Sequence, residues 1–155
     1  VSPWTELFLF SADRSDHVRR VIEPALAQRR LVVSDRYYYS TAAFQGFGRA
    51  LDPEIVDLIN RAAIQGRRPD FTLLLDLDPQ EGLRRTRLRA AGSGNVEQDG
   101  FEAEDLAFHR RLREGFIQTC RACPEPCLLI DAARTPDEVW EAVRPAIRRW
   151  AEACT

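Results

Sequence analysis

The chain has 155 residues, the size of one domain, and its 45% hydrophobic content suffices for a core without metal ions or disulfides. A formal net charge of −2 provides no overall positive charge to attract duplex nucleic acid or an anionic membrane. No apolar stretch approaches the roughly 20 residues that span a bilayer, and no basic-then-apolar leader opens the chain. We therefore expect one domain over residues 1–155 in the cytoplasm, with neither nucleic acid nor membrane as a partner.

Two residue types are absent from the chain. All 22 basic residues are arginine, so there is no lysine, and there is no methionine, even at Val1. The missing methionine indicates a processed chain or a piece of a longer one. The missing lysine excludes, for these residues by themselves, Schiff-base chemistry and the lysine of a phosphate-binding Walker A loop.

The first part of the chain predicts one long helix and one short strand. Apolar residues at helical spacing over residues 5–28 indicate an amphipathic helix, bent at Pro24. Residues 31–34 begin with Leu-Val-Val and end at a polar cluster, which is typical of a buried strand in a parallel sheet.

The middle of the chain predicts a helix, a strand and another helix. Asp52 and Pro53 have the types of an N-cap and a first helical residue, and Gly66 ends that helix. Its predicted buried stripe consists of Ile55, Leu58, Ile59 and Ala62. Residues 71–75 are a second predicted strand, and residues 78–81 resemble a capping box that begins the next helix.

The last part predicts a loop, a long helix, a third strand and a final helix. Residues 91–100 hold three glycines and no apolar stripe, so they predict a loop. Residues 127–130 predict the strand, and residues 135–138 the N-terminal cap of the last helix. The long helix is expected to bury Phe108, Leu112 and Phe116, and the last helix Val139, Val143, Ile147 and Trp150.

Strands that alternate with helices predict parallel β-α-β units, helices on both faces and ligand sites at the carboxyl ends of the strands. Three strands are few for such a sheet. We therefore expect part of the sheet to be absent from these residues.

Two pairs of residues carry chemistry suited to a nucleotide. Asp35 and Arg36 follow the first predicted strand, where arginine can grip a phosphate bidentately and the carboxylate can orient it or hold a metal-bound water. Phe10 and Arg14, four residues apart, share a helical face, so a ring and a donor could bind one nucleobase. The alternatives are a surface ion pair for the first pair, and a core ring beside a solvated charge for the second.

Four sequence blocks follow one another over nearly the whole chain. They are Leu-Phe-Ser-Ala-Asp-Arg at 9–14, Ile-Glu-Pro-Ala-Leu at 22–26, Asp-Arg-Tyr-Tyr-Tyr-Ser-Thr-Ala-Ala-Phe-Gln-Gly at 35–46 and Arg-Pro-Asp-Phe-Thr at 68–72. Together they resemble bacterial thymidylate kinases. The resemblance implies an α/β, three-layer P-loop kinase fold with a parallel sheet, ATP and Mg²⁺ as cofactors, and a homodimer. It also implies transfer of the γ-phosphoryl group of ATP to dTMP, giving dTDP for dTTP synthesis.

The resemblance assigns five residues directly to dTMP. By position, Phe10 would stack on thymine and Arg14 would reach its O4. Arg36 would bind the phosphate of dTMP and act in catalysis. Thr41 and Gln45 would border the edge of the base.

Three further positions match the family near the substrate. Phe44 would lie near the sugar and disfavour a ribose 2′-hydroxyl, and Tyr37 would belong to the same dTMP site. Asp35 would act in catalysis, either through a magnesium-bound water or as a positioning residue. His17 also matches the family, but we assign it no chemistry.

Residues 84–89 resemble the arginine-bearing lid of the bacterial enzymes. Arg85 and Arg89 share a helical face and would offset charge on the transferred phosphoryl group, because this reaction depends chiefly on electrostatic stabilisation. Arg87 would be a further lid residue, on another face. The alternative for each is a solvated helix surface.

The chain departs from the family pattern in two places. Residues 99–102 have glycine where the family usually has a basic residue, and residues 91–95 lengthen the lid, so Glu102 is only a candidate near substrate or metal. The family also begins with a strand, a phosphate loop with its lysine, a helix and a second strand, which would need roughly 30 residues before Val1. We therefore expect an N-terminally truncated domain, in which a strand between residues 31–34 and 71–75 is missing.

The cysteines have a spacing that invites comparison with metal sites. Cys120, Cys123 and Cys127 form a CxxCxxxC pattern, and the fourth cysteine, Cys154, lies at the tail. A closed zinc site needs four ligands, and no histidine lies nearby in sequence. We expect no metal site here and reduced thiols.

Two other functions remain open. The chain could be a catalytically inactive remnant that binds dTMP or dimerises without phosphoryl transfer. A deoxynucleoside kinase is disfavoured because Arg14 and the residues around Arg36 suit a nucleotide better than a nucleoside. By itself, the chain is expected not to phosphorylate dTMP.

Overall fold

The computed structural model describes the backbone of residues 1–92 and 102–153, and the side chains of these ranges except residues 90–92 and 102–105. Most of the predicted loop, residues 93–100, therefore lies outside the described residues. Residues 91 and 92 belong to the preceding helix instead.

The chain begins with a long helical segment, as predicted. Helix α1 covers Pro3–His17, a π-helical segment π1 covers Val18–Ile22, and α2 covers Glu23–Ala27. Ser2 caps α1 by accepting a hydrogen bond from the backbone N–H of Thr5. Leu7 and Val18 are fully buried and anchor this segment to the rest of the molecule.

Residues 31–34 do not form the predicted strand. No described strand lies beside them, and Leu31 and Val33 are 71% and 86% exposed. A strand needs a neighbour for its backbone hydrogen bonds, so the β-favouring side chains alone do not suffice. The segment instead bends at residues 35 and 36, where the Ser34 hydroxyl donates to the Arg36 carbonyl at 2.7 Å.

The next helical segment lies behind the candidate site. Helix α3 covers Tyr38–Thr41 and continues as the π-helical segment π2, Ala42–Gly48. π-Helical turns are uncommon and often lie at functional sites.

Helix α4 covers Pro53–Ile64, with the predicted cap: Asp52 accepts hydrogen bonds from the backbone N–H groups of residues 54 and 55. The predicted buried stripe is wrong. The buried residues are Val56, Asn60, Ala63 and Ile64, whereas Ile55 and Leu58 are exposed. Asn60 lies on the inner face because its side chain donates to the Tyr38 carbonyl at 3.4 Å, a contact that counting apolar residues overlooks.

The sheet has two parallel strands among the described residues. They are β1, Thr72–Asp76, and β2, Cys127–Asp131, paired in register from Thr72 with Cys127 to Asp76 with Asp131. Both strands were predicted from sequence. Exposure alternates along β1, and Leu73 and Leu75 are exposed, so β1 is not buried on both faces as its apolar run suggested.

Three helices complete the α/β architecture: α5 at Pro79–Gly92, α6 at Glu102–Ala122 and α7 at Pro136–Ala153. The predicted caps are present. Asp78 accepts from the backbone N–H of Gln80, and Thr135 and Glu138 form a reciprocal capping box.

Helix α6 packs closely against π2. A β-carbon added at Gly48 would lie 2.8 Å from a Leu112 side-chain atom, and one added at Gly115 would lie 2.7 Å from the Phe47 ring. The predicted inner stripe of α6 is confirmed, since Leu112 is buried and Phe108 and Phe116 are half-buried against Phe44. In α7, Val143 is buried and the other predicted residues are half-buried.

Candidate functional site

A first cavity of about 580 Å³ lies among α1, the loop before α3, and the α3–π2 segment. It brings together all the residues that the sequence assigns to dTMP, and several that it does not. The predicted residues in its lining are Phe10, Arg14, Asp35, Arg36, Tyr37, Thr41, Phe44 and Gln45, with His17 beside them.

Arg14 is fixed by hydrogen bonds to the far wall of this cavity. Its Nη1 donates to Thr41 Oγ1 at 2.7 Å, and its Nη2 donates to the Tyr37 carbonyl at 3.2 Å. Burial lowers the pKa of the Arg14 guanidinium from its ordinary value, and burial raises the pKa of Tyr37. The guanidinium is therefore a partly desolvated, well-oriented donor.

Arg36 differs from Arg14 in its contacts. Its backbone has a φ of 69°, in the left-handed region, and its guanidinium lies 5.3 Å from the centre of the Phe44 ring. No carboxylate among the described residues pairs with it. Arg36 thus combines a cation–π contact with free hydrogen-bond donors.

Phe10 and Asp35 also face this cavity. The Phe10 side chain is 53% exposed and stacks on no other ring among the described residues, so its face is available to a flat ligand. Asp35 accepts no hydrogen bond from a described side chain.

Sequence reasoning missed Glu6 and Arg49, which line the same cavity. They form an ion pair with Arg49 Nη2 3.1 Å from Glu6 Oε1. A signal for Glu6 was present, because Glu6, Phe10 and Arg14 follow one another at intervals of four, the spacing of one helical face.

A second cavity, also of about 580 Å³, lies between the end of β1 and helices α5 and α6. Arg85 and Arg89 line it, as their shared helical face predicts. Arg36 and Phe44 line both cavities, so they mark the junction between them.

The two arginines predicted to compensate charge, Arg85 and Arg89, have different surroundings. Arg85 donates from Nε to Glu81 at 2.7 Å, from Nη1 to the Ala132 carbonyl at 3.0 Å, and from Nη2 to the Ala133 carbonyl at 3.0 Å. Within the described part of the chain, the hydrogen bond of the Arg89 side chain is a long one, 3.4 Å, to Thr86 Oγ1. Arg85 is therefore held as a brace between α5 and the turn after β2, which its spacing could not reveal.

Of the two other predicted lid residues, the structure describes the side chain of Arg87 alone, and Arg87 lines neither cavity. Arg87 is exposed on another face of α5. Glu102 is the first residue of α6, and its side chain lies outside the described residues.

Asp76 and Arg113 were not predicted, and both line the second cavity. Arg113 donates from Nε to Oδ1 at 2.6 Å and from Nη2 to Oδ2 at 2.8 Å. The hydrogen bonds from Arg113 lower the pKa of the Asp76 carboxyl. The position of Asp76 at the carboxyl end of β1 was the available signal, but its partner lies 37 residues away.

A polar cluster supports α3 from behind. The Glu125 carboxylate, only 5% exposed, accepts hydrogen bonds from the hydroxyls of Tyr38 and Tyr39 and pairs with Arg68. Burial raises the pKa of both tyrosines. These contacts fix α3, whose Thr41 faces the first cavity.

The cysteines differ from their predicted state. Cys120 and Cys127 form a disulfide that links the end of α6 to the start of β2, whereas Cys123 is a free thiol. The expectation of reduced thiols fails for this pair because helix and strand bring their Cα atoms to 5.6 Å, within disulfide range. In the described part of the chain, no group of three or more His, Cys, Asp or Glu side chains could hold a metal ion.

Comparison with known proteins gives one consistent family. The family described as "Thymidylate kinase" matches residues 1–143. A thymidylate kinase of Oleidesulfovibrio alaskensis is 51% identical over 144 residues, which are 92% of this chain and 68% of that protein. One of Nitratidesulfovibrio vulgaris is 49% identical over 149 residues, which are 96% of this chain and 69% of that protein.

A solved structure agrees with the sequence comparisons. The crystal structure of thymidylate kinase from Ehrlichia chaffeensis matches with a TM-score of 0.71 at 25% sequence identity. The match covers 95% of this chain and 67% of that one.

Proposed function

The chain belongs to the thymidylate kinase family and has its α/β P-loop kinase fold, and on that basis we propose that its first cavity is the dTMP site of a nucleoside monophosphate kinase. The proposed reaction transfers the γ-phosphoryl group of ATP to dTMP and gives dTDP. The chain spans 68% and 69% of the two relatives compared above, so the roles assigned here concern the acceptor side of that reaction.

The position of Arg36 is the observation that carries the proposal. Arg36 lies at the junction of the two cavities, stacks on Phe44 and has no carboxylate partner among the described residues. A guanidinium with free donors binds phosphate through charge-assisted, bidentate hydrogen bonds. We therefore place the phosphate of dTMP at Arg36, with the base toward α1 and the transferred group toward the second cavity.

The first cavity suits a thymine base on the α1 side. The exposed ring of Phe10 is available for stacking, and Arg14 is an oriented donor for a carbonyl oxygen. Thr41 and Gln45 would border the base edge. Ser40 Oγ is buried without a hydrogen-bond partner in the described structure, so it could bond to the ligand.

The remaining acceptor-site residues surround the sugar and phosphate. Phe44 would lie against the sugar and disfavour a 2′-hydroxyl, with Tyr37 beside it. Asp35 is next to Arg36 and has no described donor, so it could position the phosphate or a metal-bound water.

In the second cavity we assign charge compensation chiefly to Arg89. Among the described residues its guanidinium has one long hydrogen bond, to Thr86, whereas Arg85 bonds to Glu81 within α5 and to two carbonyls of the turn after β2, and would position the lid. Arg87 and Glu102 remain lid candidates by their place in the sequence.

ATP and Mg²⁺ belong to the proposal at the level of the family. A phosphate loop needs a lysine, which these 155 residues do not contain, and the described side chains form no cluster able to hold a metal ion. The described residues thus do not form a site for these groups, and we assign none of them to bind ATP or Mg²⁺ directly.

We also propose a homodimer and a cytoplasmic location, both from the family. Apolar side chains on the surface of α1, including Trp4 and Phe8, are compatible with a partner chain. Across the described ranges, no helix combines the length and hydropathy required to cross a bilayer.

Calorimetric titration of residues 1–155 with dTMP and with thymidine tests the acceptor site. We expect dTMP to bind more tightly because only dTMP has a phosphate for Arg36. A chain that binds neither ligand would contradict the proposal.

A coupled assay with ATP, Mg²⁺ and dTMP tests the catalytic part. These residues contain no lysine to bind the ATP phosphates. Residues 1–155 alone are therefore expected to bind dTMP without phosphorylating it, which is the behaviour of the catalytically inactive alternative. Turnover on the order of 1 per second would show that the phosphate loop is dispensable.

A further inference from the structure

One carboxylate at the wall of the first cavity receives three hydrogen bonds. Arg49 donates to Glu6 from Nη2 to Oε1 at 3.1 Å and from Nε to Oε2 at 3.3 Å. Gln45 donates from Nε2 to Glu6 Oε2 at 3.4 Å. All three residues line the cavity, and Gln45 is only 3% exposed.

The chemistry of the carboxylate decides which way the Gln45 amide points. An ionised carboxylate accepts hydrogen bonds and cannot donate them, so Glu6 selects the NH₂ end of the amide. The carbonyl Oε1 of Gln45 is then directed away from Glu6, and no donor in the described structure is bonded to it. Gln45 consequently offers an acceptor to whatever occupies the cavity.

Arg49 keeps the Glu6 carboxylate in place. Its two-point contact fixes both carboxylate oxygens, and its guanidinium also lies 5.7 Å from the centre of the Phe108 ring on α6. The orientation of the Gln45 amide therefore depends on Glu6 of α1, and the position of Glu6 depends on Arg49, which also contacts α6.

We propose that Glu6 is a positioning residue that fixes the Gln45 amide and makes the cavity prefer a pyrimidine with a protonated ring N3 over one with a lone pair there. The inference rests on the proposed function, in which the cavity binds dTMP. Thymine presents an N–H at N3 beside the O4 carbonyl, which matches an acceptor from Gln45 beside donors from Arg14. Cytosine presents a lone pair at N3 and an amino group at C4, so both polarities are reversed.

The first test compares the dissociation constants of dCMP and dTMP for the 155-residue chain and its variants. In Glu6→Gln, the side chain can either donate or accept, so the Gln45 amide is free to reverse. We expect the preference for dTMP over dCMP to fall about tenfold. Glu6→Asp keeps a group that only accepts and is expected to retain most of the preference.

Asp16→Asn is the matched control. It removes the same charge from the same helix, at an exposed carboxylate that pairs with Arg20 and does not line the cavity. We expect an unchanged dTMP preference. A Glu6→Gln variant that binds dTMP with the wild-type preference would overturn the assignment of Glu6.

The second test needs no ligand and no variant. In the wild-type chain, nuclear Overhauser effects are expected between the side-chain NH₂ protons of Gln45 and the methylene protons of Glu6. Their absence would overturn the inference even if Glu6→Gln does not fold. A wild-type chain that shows these effects but does not bind dTMP would contradict the proposed function and leave the orientation of Gln45 supported.

Discussion

Arg113 on α6 donates two hydrogen bonds to the Asp76 carboxylate at the end of β1, at 2.6 and 2.8 Å. The pair ties the sheet to the helix that also packs against π2. Both residues line the second cavity, so the pair connects the core of the fold with that cavity.

Arg113→Ala is expected to destabilise the fold by about 1 kcal/mol, because the lost hydrogen bonds are charge-assisted but Arg113 is partly solvated. Denaturant unfolding measures the loss, with Arg110→Ala as the control at an exposed site of the same helix. Equal losses for the two variants would show that the ion pair contributes nothing specific.

The same pair predicts a pH dependence. Arg113 lowers the pKa of Asp76 in the folded state, so its stabilisation is present above the ordinary aspartate pKa and is lost as pH falls through the lowered value. The stability difference between wild type and Arg113→Ala should therefore be constant from pH 5 to 8 and shrink below about pH 4. A difference that grows on acidification would contradict this assignment.

Arg36→Ala is expected to weaken dTMP binding by about 1.5 to 3 kcal/mol, because its proposed partner is the phosphate. Thymidine, which lacks the phosphate, should lose much less. Calorimetry with both ligands checks this, and Arg61→Ala on the exposed side of α4 serves as the control. Equal losses for nucleotide and nucleoside would remove Arg36 from the phosphate site.

Alanine substitutions at Arg85 and Arg89 should change the free energy of unfolding by different amounts. Arg85→Ala leaves the carbonyls of residues 132 and 133 without their donor and should cost about 1 to 2 kcal/mol of folding free energy. Arg89→Ala removes no comparable contact to a described residue and should change stability by less than about 0.5 kcal/mol. Thermal unfolding of both variants distinguishes them, and the reverse order would contradict the bracing role of Arg85.

Reduction of the disulfide should lower stability measurably. Cys120 and Cys127 are separated by 7 positions, and closing a loop of that size is worth about 2.5 kcal/mol in the chain-entropy estimate. Paired Cys120→Ser and Cys127→Ser substitutions should reproduce the effect of a reductant, whereas Cys123→Ser should not. An unchanged melting temperature on reduction would show that the bridge does not contribute.

The close approach of π2 and α6 gives a prediction with an internal control. Gly115→Ala would place a β-carbon 2.7 Å from the Phe47 ring, and such overpacking costs about 1 to 3 kcal/mol. Gly46→Ala meets no atom within 4 Å and should be neutral or slightly stabilising. Denaturant unfolding of the two variants checks the packing of these segments.

The family and its fold were predictable from short blocks of sequence, and so were local features of the chain. The caps at Asp52 and Thr135, the strands β1 and β2, and the stripe of α6 all depend on residues close in sequence. The spacing of Phe10 and Arg14 likewise predicted a shared face, because helical geometry alone fixes it.

Contacts between distant residues were decided only by the tertiary structure. The hydrogen bond from Asn60 to the Tyr38 carbonyl helps to determine which face of α4 is buried. Residues 31–34 are exposed because no described strand lies beside them. Arg85 links α5 to the turn after β2 because two backbone carbonyls of that turn lie within hydrogen-bond distance of its guanidinium. Periodicity and capping patterns indicate on which face of its own helix or strand each side chain lies. The residues that a side chain contacts depend on how the helices and strands pack together, which no local pattern encodes.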